Sequence, residues 1–170
     1  SFAVVRNPWD RAVSVYARLV AGGAGVLAEQ LGVADPSGLS FAEFLDLAEA
    51  CPHPHLVPQV DFLTDEDGAV AVDLVARFEQ LDAGFDEVRR RLSRPELSLP
   101  HVNRSSHRHY SSYYDRSTRD RVAQMYARDI AAFGYAFEEA PPAGGGDGYL
   151  YAAVGERFLE EARVSAKSLR

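Results

Sequence analysis

An arginine directly after a short apolar run is the first pattern in the sequence that could do chemistry. Arg6 follows residues 2–5, whose composition predicts a buried strand. Open α/β sheets bind ligands at the carboxyl ends of their strands, where a guanidinium can hold two anionic oxygens at once. Ser14 lies two turns into the next segment, and its hydroxyl reaches the same anion if a helix there leans over the strand end. The alternative is that Arg6 pairs with Asp10 and that Ser14 is a small residue facing the core.

The residues between these two predict the turn that would position them. Asn7 is a good N-cap, and Pro8 suits the first helical position because its missing N–H needs no helical partner. Apolar residues at helical spacing continue the helix from Trp9 to about Val20, and two glycines then end it. The N–H groups at the helix start, with Asn7, add positive potential, so the motif predicts a phosphate site.

A second candidate region is the polar stretch 93–114, which the sequence predicts to be a loop. It concentrates histidine, arginine, serine and tyrosine, and residues 103–108 fit an anion or nucleotide clamp. A metal site is disfavoured because His107 and His109 are two residues apart with no acidic ligand between them. The alternative to a clamp is a solvated basic loop that pairs with the acidic surface.

The rest of the chain supplies the elements that must carry these residues. We expect a mobile connection over 21–39, a helix from the capping box at Ser40 to about Ala50, and an extended proline-rich segment after it. Residues 60–63 and 70–75 predict a hairpin or a strand return, and residues 85–92 predict a helix. Ser117 is expected to cap a last long helix that ends at Gly134. Mixed strands and helices in this order indicate the α/β class with a mainly parallel sheet.

Composition excludes several classes of protein. The chain has 170 residues, a net charge of −7, 46% apolar and 25% charged residues, and a single cysteine. These values argue against wholesale disorder, an intrachain disulfide and a cysteine-based zinc site. An acidic chain is a poor nucleic-acid binder, and no apolar run is long enough to span a membrane.

We therefore expect a soluble cytoplasmic domain over 1–138, a Pro/Gly linker over 139–148 and a helical tail over 149–170. Nothing in the sequence specifies an oligomeric state.

Residues 6–16, Arg-Asn-Pro-Trp-Asp-Arg-Ala-Val-Ser-Val-Tyr, resemble the 3′-phosphate-binding motif of sulfotransferases. Three further segments resemble the same family in the same order, as does the helix ending Phe-Gly-Tyr at 133–135. These segments are residues 55–63, 72–81 and 99–106. The nearest resemblance is to bacterial relatives of the carbohydrate (Golgi-type) sulfotransferases.

This resemblance implies a P-loop-NTPase-like sulfotransferase fold and a function. The donor would be 3′-phosphoadenosine-5′-phosphosulfate, with no metal, and the acceptor a hydroxyl, expected to belong to a carbohydrate. Arg6 and Ser14 would hold the 3′-phosphate, and Arg104 and Ser105 would close over the donor nucleotide. His55 would take the proton of the acceptor hydroxyl, because histidine titrates in the right range; the alternative is that His55 hydrogen-bonds the backbone and orients its own segment.

The sequence departs from the family at the 5′-phosphosulfate site. The family binds that group with a glycine-rich loop carrying a lysine, whereas the only lysine here is Lys167. The chain also opens directly in a strand. We therefore expect residues 1–138 to be the C-terminal portion of a sulfotransferase domain that lacks its first strand–loop–helix unit, and the 170 residues alone to be inactive.

Two other functions stay open on the sequence. A non-catalytic nucleotide- or partner-binding domain derived from a sulfotransferase would also lack the lysine loop. A different P-loop-like phosphotransferase, such as a nucleotide kinase, is disfavoured because no GxxxxGK[ST] pattern is present.

Overall fold

A computed structural model of the chain describes residues 1–99 and 107–140. Within these residues two strands, six α-helices and four short 3-10 helices follow one another. The strands are β1 (Phe2–Val5) and β2 (Leu74–Arg77). The α-helices are α1 (Pro8–Val20), α2 (Gly25–Gln30), α3 (Phe41–Ala48), α4 (Leu81–Leu92), α5 (Arg116–Met125) and α6 (Ala127–Phe133). The 3-10 helices are Pro36–Gly38, Gln59–Phe62, Phe78–Gln80 and Tyr110–Tyr113.

The two strands are parallel, so their carboxyl ends lie at the same edge. The register pairs Phe2 with Leu74 and Val5 with Arg77. Parallel strands need a long crossover connection, which α1, α2 and α3 provide here. A parallel pair joined through helices is compatible with the predicted α/β class, and it places Arg6 just past the end of the ladder.

Helix α1 is the element around which the core forms. Its N-cap Asn7 accepts from the Trp9 N–H, and Pro8 is its first residue, as the sequence predicts. One side of α1 is aromatic: the Trp9 ring packs edge-on against Phe137, and the Tyr16 ring packs against Phe41. This apolar packing fixes the orientation of α1 and leaves its other side for polar residues.

Two sequence expectations about local structure are wrong, and the predicted strand return is met only in part. The connection 21–39 contains α2 and a 3-10 helix, and the buried Leu27 side chain anchors α2 in the core. Residues 60–63 form no strand: residues 60–62 lie in the 3-10 helix Gln59–Phe62 and Leu63 caps it, because a buried carboxylate, that of Asp129, accepts the Val60 N–H. A single antiparallel bridge joins Thr64 and Val70, and the strand that follows pairs with β1.

The last helix also differs from the prediction. Asp115, two residues before Ser117, is the N-cap, because its carboxylate and Thr118 form a reciprocal capping box. The predicted single helix is divided at Tyr126, whose backbone angles of φ −115° and ψ 27° leave the helical region. Gly134 ends α6 in the left-handed conformation, as expected.

Three sequence predictions lie wholly or mostly outside the described residues. They are the clamp residues Arg104 and Ser105, the linker at 139–148 and the tail at 149–170. Nowhere in 1–99 or 107–140 is there a helix with the length and apolar character needed to cross a membrane.

Candidate nucleotide-phosphate site

Arg6 lies at the carboxyl end of β1 and is almost fully buried, with 7% of its surface exposed. Its Nε donates to Asp10 Oδ2 over 2.6 Å, and its guanidinium carbon lies 4.5 Å from the centroid of the Phe78 ring. The pairing with Asp10 that the sequence left as an alternative is therefore present. It occupies Nε alone, and neither Nη1 nor Nη2 forms a hydrogen bond with any residue in the described part of the chain. Asp10 and Phe78 thus orient the guanidinium and leave its two terminal nitrogens for an anion.

Ser14 is buried on the polar side of α1. Asp10, Ser14 and Arg18 follow one another at spacings of four and so lie along one face of the helix. The Ser14 side chain is buried, with 5% of the residue exposed, and its hydroxyl makes no hydrogen bond to residues 1–99 or 107–140. A buried polar group without a partner costs about 1–3 kcal/mol. The burial fits a core-facing residue, but the unpartnered hydroxyl favours a ligand role.

Asn7 connects three segments through its own hydrogen bonds. Its N–H donates to Glu79 Oε1 at 2.6 Å, its Oδ1 accepts the Trp9 N–H at 3.0 Å, and its Nδ2 donates to the Ala136 carbonyl at 3.0 Å. The Tyr135 hydroxyl donates to the other oxygen of Glu79. The sequence assigned Asn7 to the anion site, whereas in the structure it holds the β1–α1 turn against the C-terminal segment.

His55 does not lie in the extended segment that the sequence predicts. Residues 54–56 form a turn, because the Leu56 and Val57 N–H groups donate to the His53 carbonyl, and this turn packs beside α1. Arg11 Nη1 donates to the Val57 carbonyl at 2.9 Å and Arg11 Nη2 to the Pro54 carbonyl at 3.2 Å, so α1 fixes the segment on both sides of His55. The His55 N–H donates to Nδ1 of His53 at 3.1 Å, and the two rings lie 4.9 Å apart. His53, and not the His55 ring, therefore makes the backbone bond that the alternative interpretation assigned to His55.

The His55 imidazole is held in its neutral form. Burial and the neighbouring positive charges of His53, Arg11 and Arg18 lower its pKa to about 4. A neutral imidazole can accept a proton at pH 7. Its ring nitrogens make no hydrogen bond within the described residues, so at least one is free to face a hydroxyl.

Sequence reasoning missed a buried carboxylate next to this site. Asp129 on α6 is fully buried and accepts the backbone N–H groups of Gln59 and Val60 at 2.9 and 2.8 Å. Its Oδ2 also lies 3.9 Å from Arg11 Nη1. The sequence signal for this role is an aspartate on the inward side of a predicted helix. Its partner, Gln59, lies 70 residues away in the chain.

Arg6 pairs with Asp10 at the start of α1, and Ser14 lies one turn further along the same helix face. The charges of Arg11 and Arg18 act on His55, so each of the three candidates lies on or beside α1. A cavity of about 490 Å³ lies elsewhere, and its lining includes Tyr114, Arg119 and Phe137 but none of the three candidates. The other histidines of interest bond locally: His107 to the Arg108 carbonyl and His109 to Ser111.

Comparison with known proteins gives one finding. The sequence model of the sulfotransferase family matches residues 1–136, a range that includes β1, α1, His55 and α6. Neither the curated proteins nor the solved structures that were compared contain a significant match. Because the match covers most of the 170 residues and spans every element of the candidate site, the chain belongs to the sulfotransferase family.

Proposed function

We propose that this chain takes part in transfer of a sulfuryl group from 3′-phosphoadenosine-5′-phosphosulfate to an acceptor hydroxyl, that of a carbohydrate. Family membership supports sulfuryl transfer in general. The observation that carries the donor assignment is the pair formed by Arg6 and Ser14. Among the residues that the structure describes, no group hydrogen-bonds to the two terminal nitrogens of Arg6 or to the buried hydroxyl of Ser14. Together they suit the 3′-phosphate of the donor nucleotide.

His55 is proposed as the base of the reaction. The acceptor oxygen forms a bond to sulfur while the bond between sulfur and the 5′-phosphate oxygen breaks. The electron pair of that bond stays with the departing phosphate, and the acceptor proton goes to a ring nitrogen of His55. The products are a sulfate ester and adenosine 3′,5′-bisphosphate. The low pKa of His55 keeps the imidazole unprotonated before the donor arrives, and the donor's negative charge would then favour the protonated form.

The 5′ end of the donor requires groups that the described residues do not supply. Arg104 and Ser105 are proposed to contact the nucleotide, but the chain has no glycine-rich loop with an adjoining lysine. Residues 1–170 therefore contain no such loop to place a lysine against the charge that develops on the departing phosphate. We therefore expect residues 1–170 alone to show no turnover in a radiolabelled-sulfate assay, and robust turnover would contradict this part of the proposal.

Calorimetry with adenosine 3′,5′-bisphosphate tests the donor site. Charge-assisted hydrogen bonds contribute about 1.5–3 kcal/mol, so Arg6→Ala should weaken binding roughly 10- to 100-fold. Arg128→Ala is the matched control, because Arg128 is exposed and pairs with Asp61 on the surface. Equal affinities in the wild type and Arg6→Ala would exclude this site.

A non-catalytic nucleotide-binding protein is the second candidate. The absence of a lysine loop from the sequence is the observation that favours it. Nucleotide binding that depends on Arg6, combined with no sulfuryl transfer by the full-length gene product, would select this function over the enzyme.

A further inference from the structure

The side-chain amide of Gln59 forms hydrogen bonds on both sides of the Arg6 α-carbon. Gln59 Oε1 accepts the Arg6 N–H at 2.9 Å, and Gln59 Nε2 donates to the Arg6 carbonyl at 2.8 Å. The β1–β2 ladder ends at Val5, so Arg6 is the first residue of this chain segment without a strand partner. Gln59 replaces that partner, and its two bonds restrain the backbone dihedral angles from which the Arg6 side chain departs.

Gln59 is itself fixed by Asp129. The carboxylate accepts from the Gln59 backbone N–H at 2.9 Å and from Gln59 Nε2 at 3.2 Å. One Nε2 hydrogen therefore faces Asp129 and the other faces the Arg6 carbonyl, which leaves Oε1 for the Arg6 N–H. All of the amide's donors are used, so the orientation of the Gln59 side chain is set by its partners.

We infer that Gln59, held by Asp129, is a positioning residue that aims the Arg6 guanidinium at the nucleotide phosphate. The inference rests on the proposed function, in which Arg6 binds that phosphate. Within residues 1–99 and 107–140 the Arg6 side chain makes one hydrogen bond, from Nε to Asp10, so the direction of the guanidinium also depends on a fixed backbone. Gln59 also belongs to the segment that carries His55, and it thereby joins the phosphate site to the proposed base.

In metal sites, the loss of a hydrogen bond that orients a ligating side chain typically costs about 10- to 100-fold in affinity, and we expect the low end of that range for a bond that orients an anion-binding arginine. Gln59→Met keeps the length of the side chain and removes both bonds to Arg6. We expect it to weaken binding of adenosine 3′,5′-bisphosphate about 10-fold. Thr64→Val is the matched control: it removes one part-buried hydrogen bond, from the Thr64 hydroxyl to the Val60 carbonyl, and should leave affinity within about twofold.

A double-mutant cycle separates positioning from a purely structural role. If Gln59 acts through Arg6, Gln59→Met weakens binding in the wild type but has less than about a twofold effect in an Arg6→Ala background. Equal losses in both backgrounds, or an unchanged affinity in the wild type, would overturn the inference. Binding stoichiometry from the same titrations reports the folded fraction.

Gln59→Asn repeats the cycle if Gln59→Met does not fold. It keeps a neutral amide beside Asp129, but its side chain is one methylene shorter and cannot span both the Arg6 N–H and the Arg6 carbonyl, so the same dependence on Arg6 is expected. An equal loss with and without Arg6 again overturns the inference. Unchanged affinity in Arg6→Ala alone would instead exclude the proposed phosphate site, and with it the role of Gln59.

Discussion

Replacing Asp129 with alanine removes the acceptor of three hydrogen bonds from the interior of the protein. The donors are the backbone N–H groups of Gln59 and Val60 and the Gln59 side chain, and Arg11 loses its nearest negative charge. Each buried donor left without a partner costs about 1–3 kcal/mol, and breaking a buried charged network typically costs about 3–5 kcal/mol in total. We expect Asp129→Ala to lower the free energy of unfolding by about 3–5 kcal/mol.

Urea unfolding followed by circular dichroism measures this change. Asp61→Ala is the control, because Asp61 forms an exposed ion pair with Arg128 and should contribute at most about 1 kcal/mol. Asp129→Asn keeps one acceptor oxygen and should fall between the two. A loss below about 1 kcal/mol in Asp129→Ala would refute the view that this carboxylate holds the segment around His55.

Gly84→Ala should lower the free energy of unfolding by about 1–3 kcal/mol, because the new Cβ would lie 2.6 Å from the Ala76 Cβ. A Cβ at Gly38 would meet no atom within 4 Å, so Gly38→Ala should leave the free energy of unfolding unchanged. Thermal unfolding of the two variants compares their stabilities. Ser40→Ala removes a helix N-cap and should cost about 1 kcal/mol in urea unfolding; no change would contradict the capping box. The native His55 pKa of about 4 lies below the unfolded value near 6.5, so the unfolded state binds more protons between these pH values. Stability should therefore fall from pH 6.5 to pH 4 by about 1–3 kcal/mol more than in His55→Gln, and parallel pH profiles would contradict this.

Local signals in the sequence were sufficient for the elements that position the candidate site. Asn7 and Pro8 predict the start of α1, and Ser40 predicts the start of α3, because caps depend on side chains within three residues of the helix end. The end of α6 was also predictable from a local signal, the glycine at position 134. The cap of α5 was misplaced because Asp115 and Ser117 are both good caps, and only the partner Thr118 favours Asp115.

Long-range partners could not be predicted from the sequence. Gln59 and Asp129 are far apart in the chain, and no local rule pairs an amide in a proline-rich segment with a carboxylate in a helix. The pairing of β1 with β2 also depends on the three-dimensional packing of the helices between them. The residue types at Arg6, Ser14 and His55 were visible in advance, whereas the bonds that aim them were not.

The central claim is that Arg6 and Ser14 bind a 3′-phosphate, and nucleotide discrimination tests it most directly. The measurement is the ratio of the dissociation constants of adenosine 5′-phosphate and adenosine 3′,5′-bisphosphate, which differ only in that phosphate. We expect the wild type to prefer the bisphosphate by about 10- to 100-fold, and Arg6→Ala combined with Ser14→Ala to bring the two constants within about twofold. A preference for the bisphosphate that is as strong in the double variant as in the wild type would place the 3′-phosphate elsewhere and contradict the account.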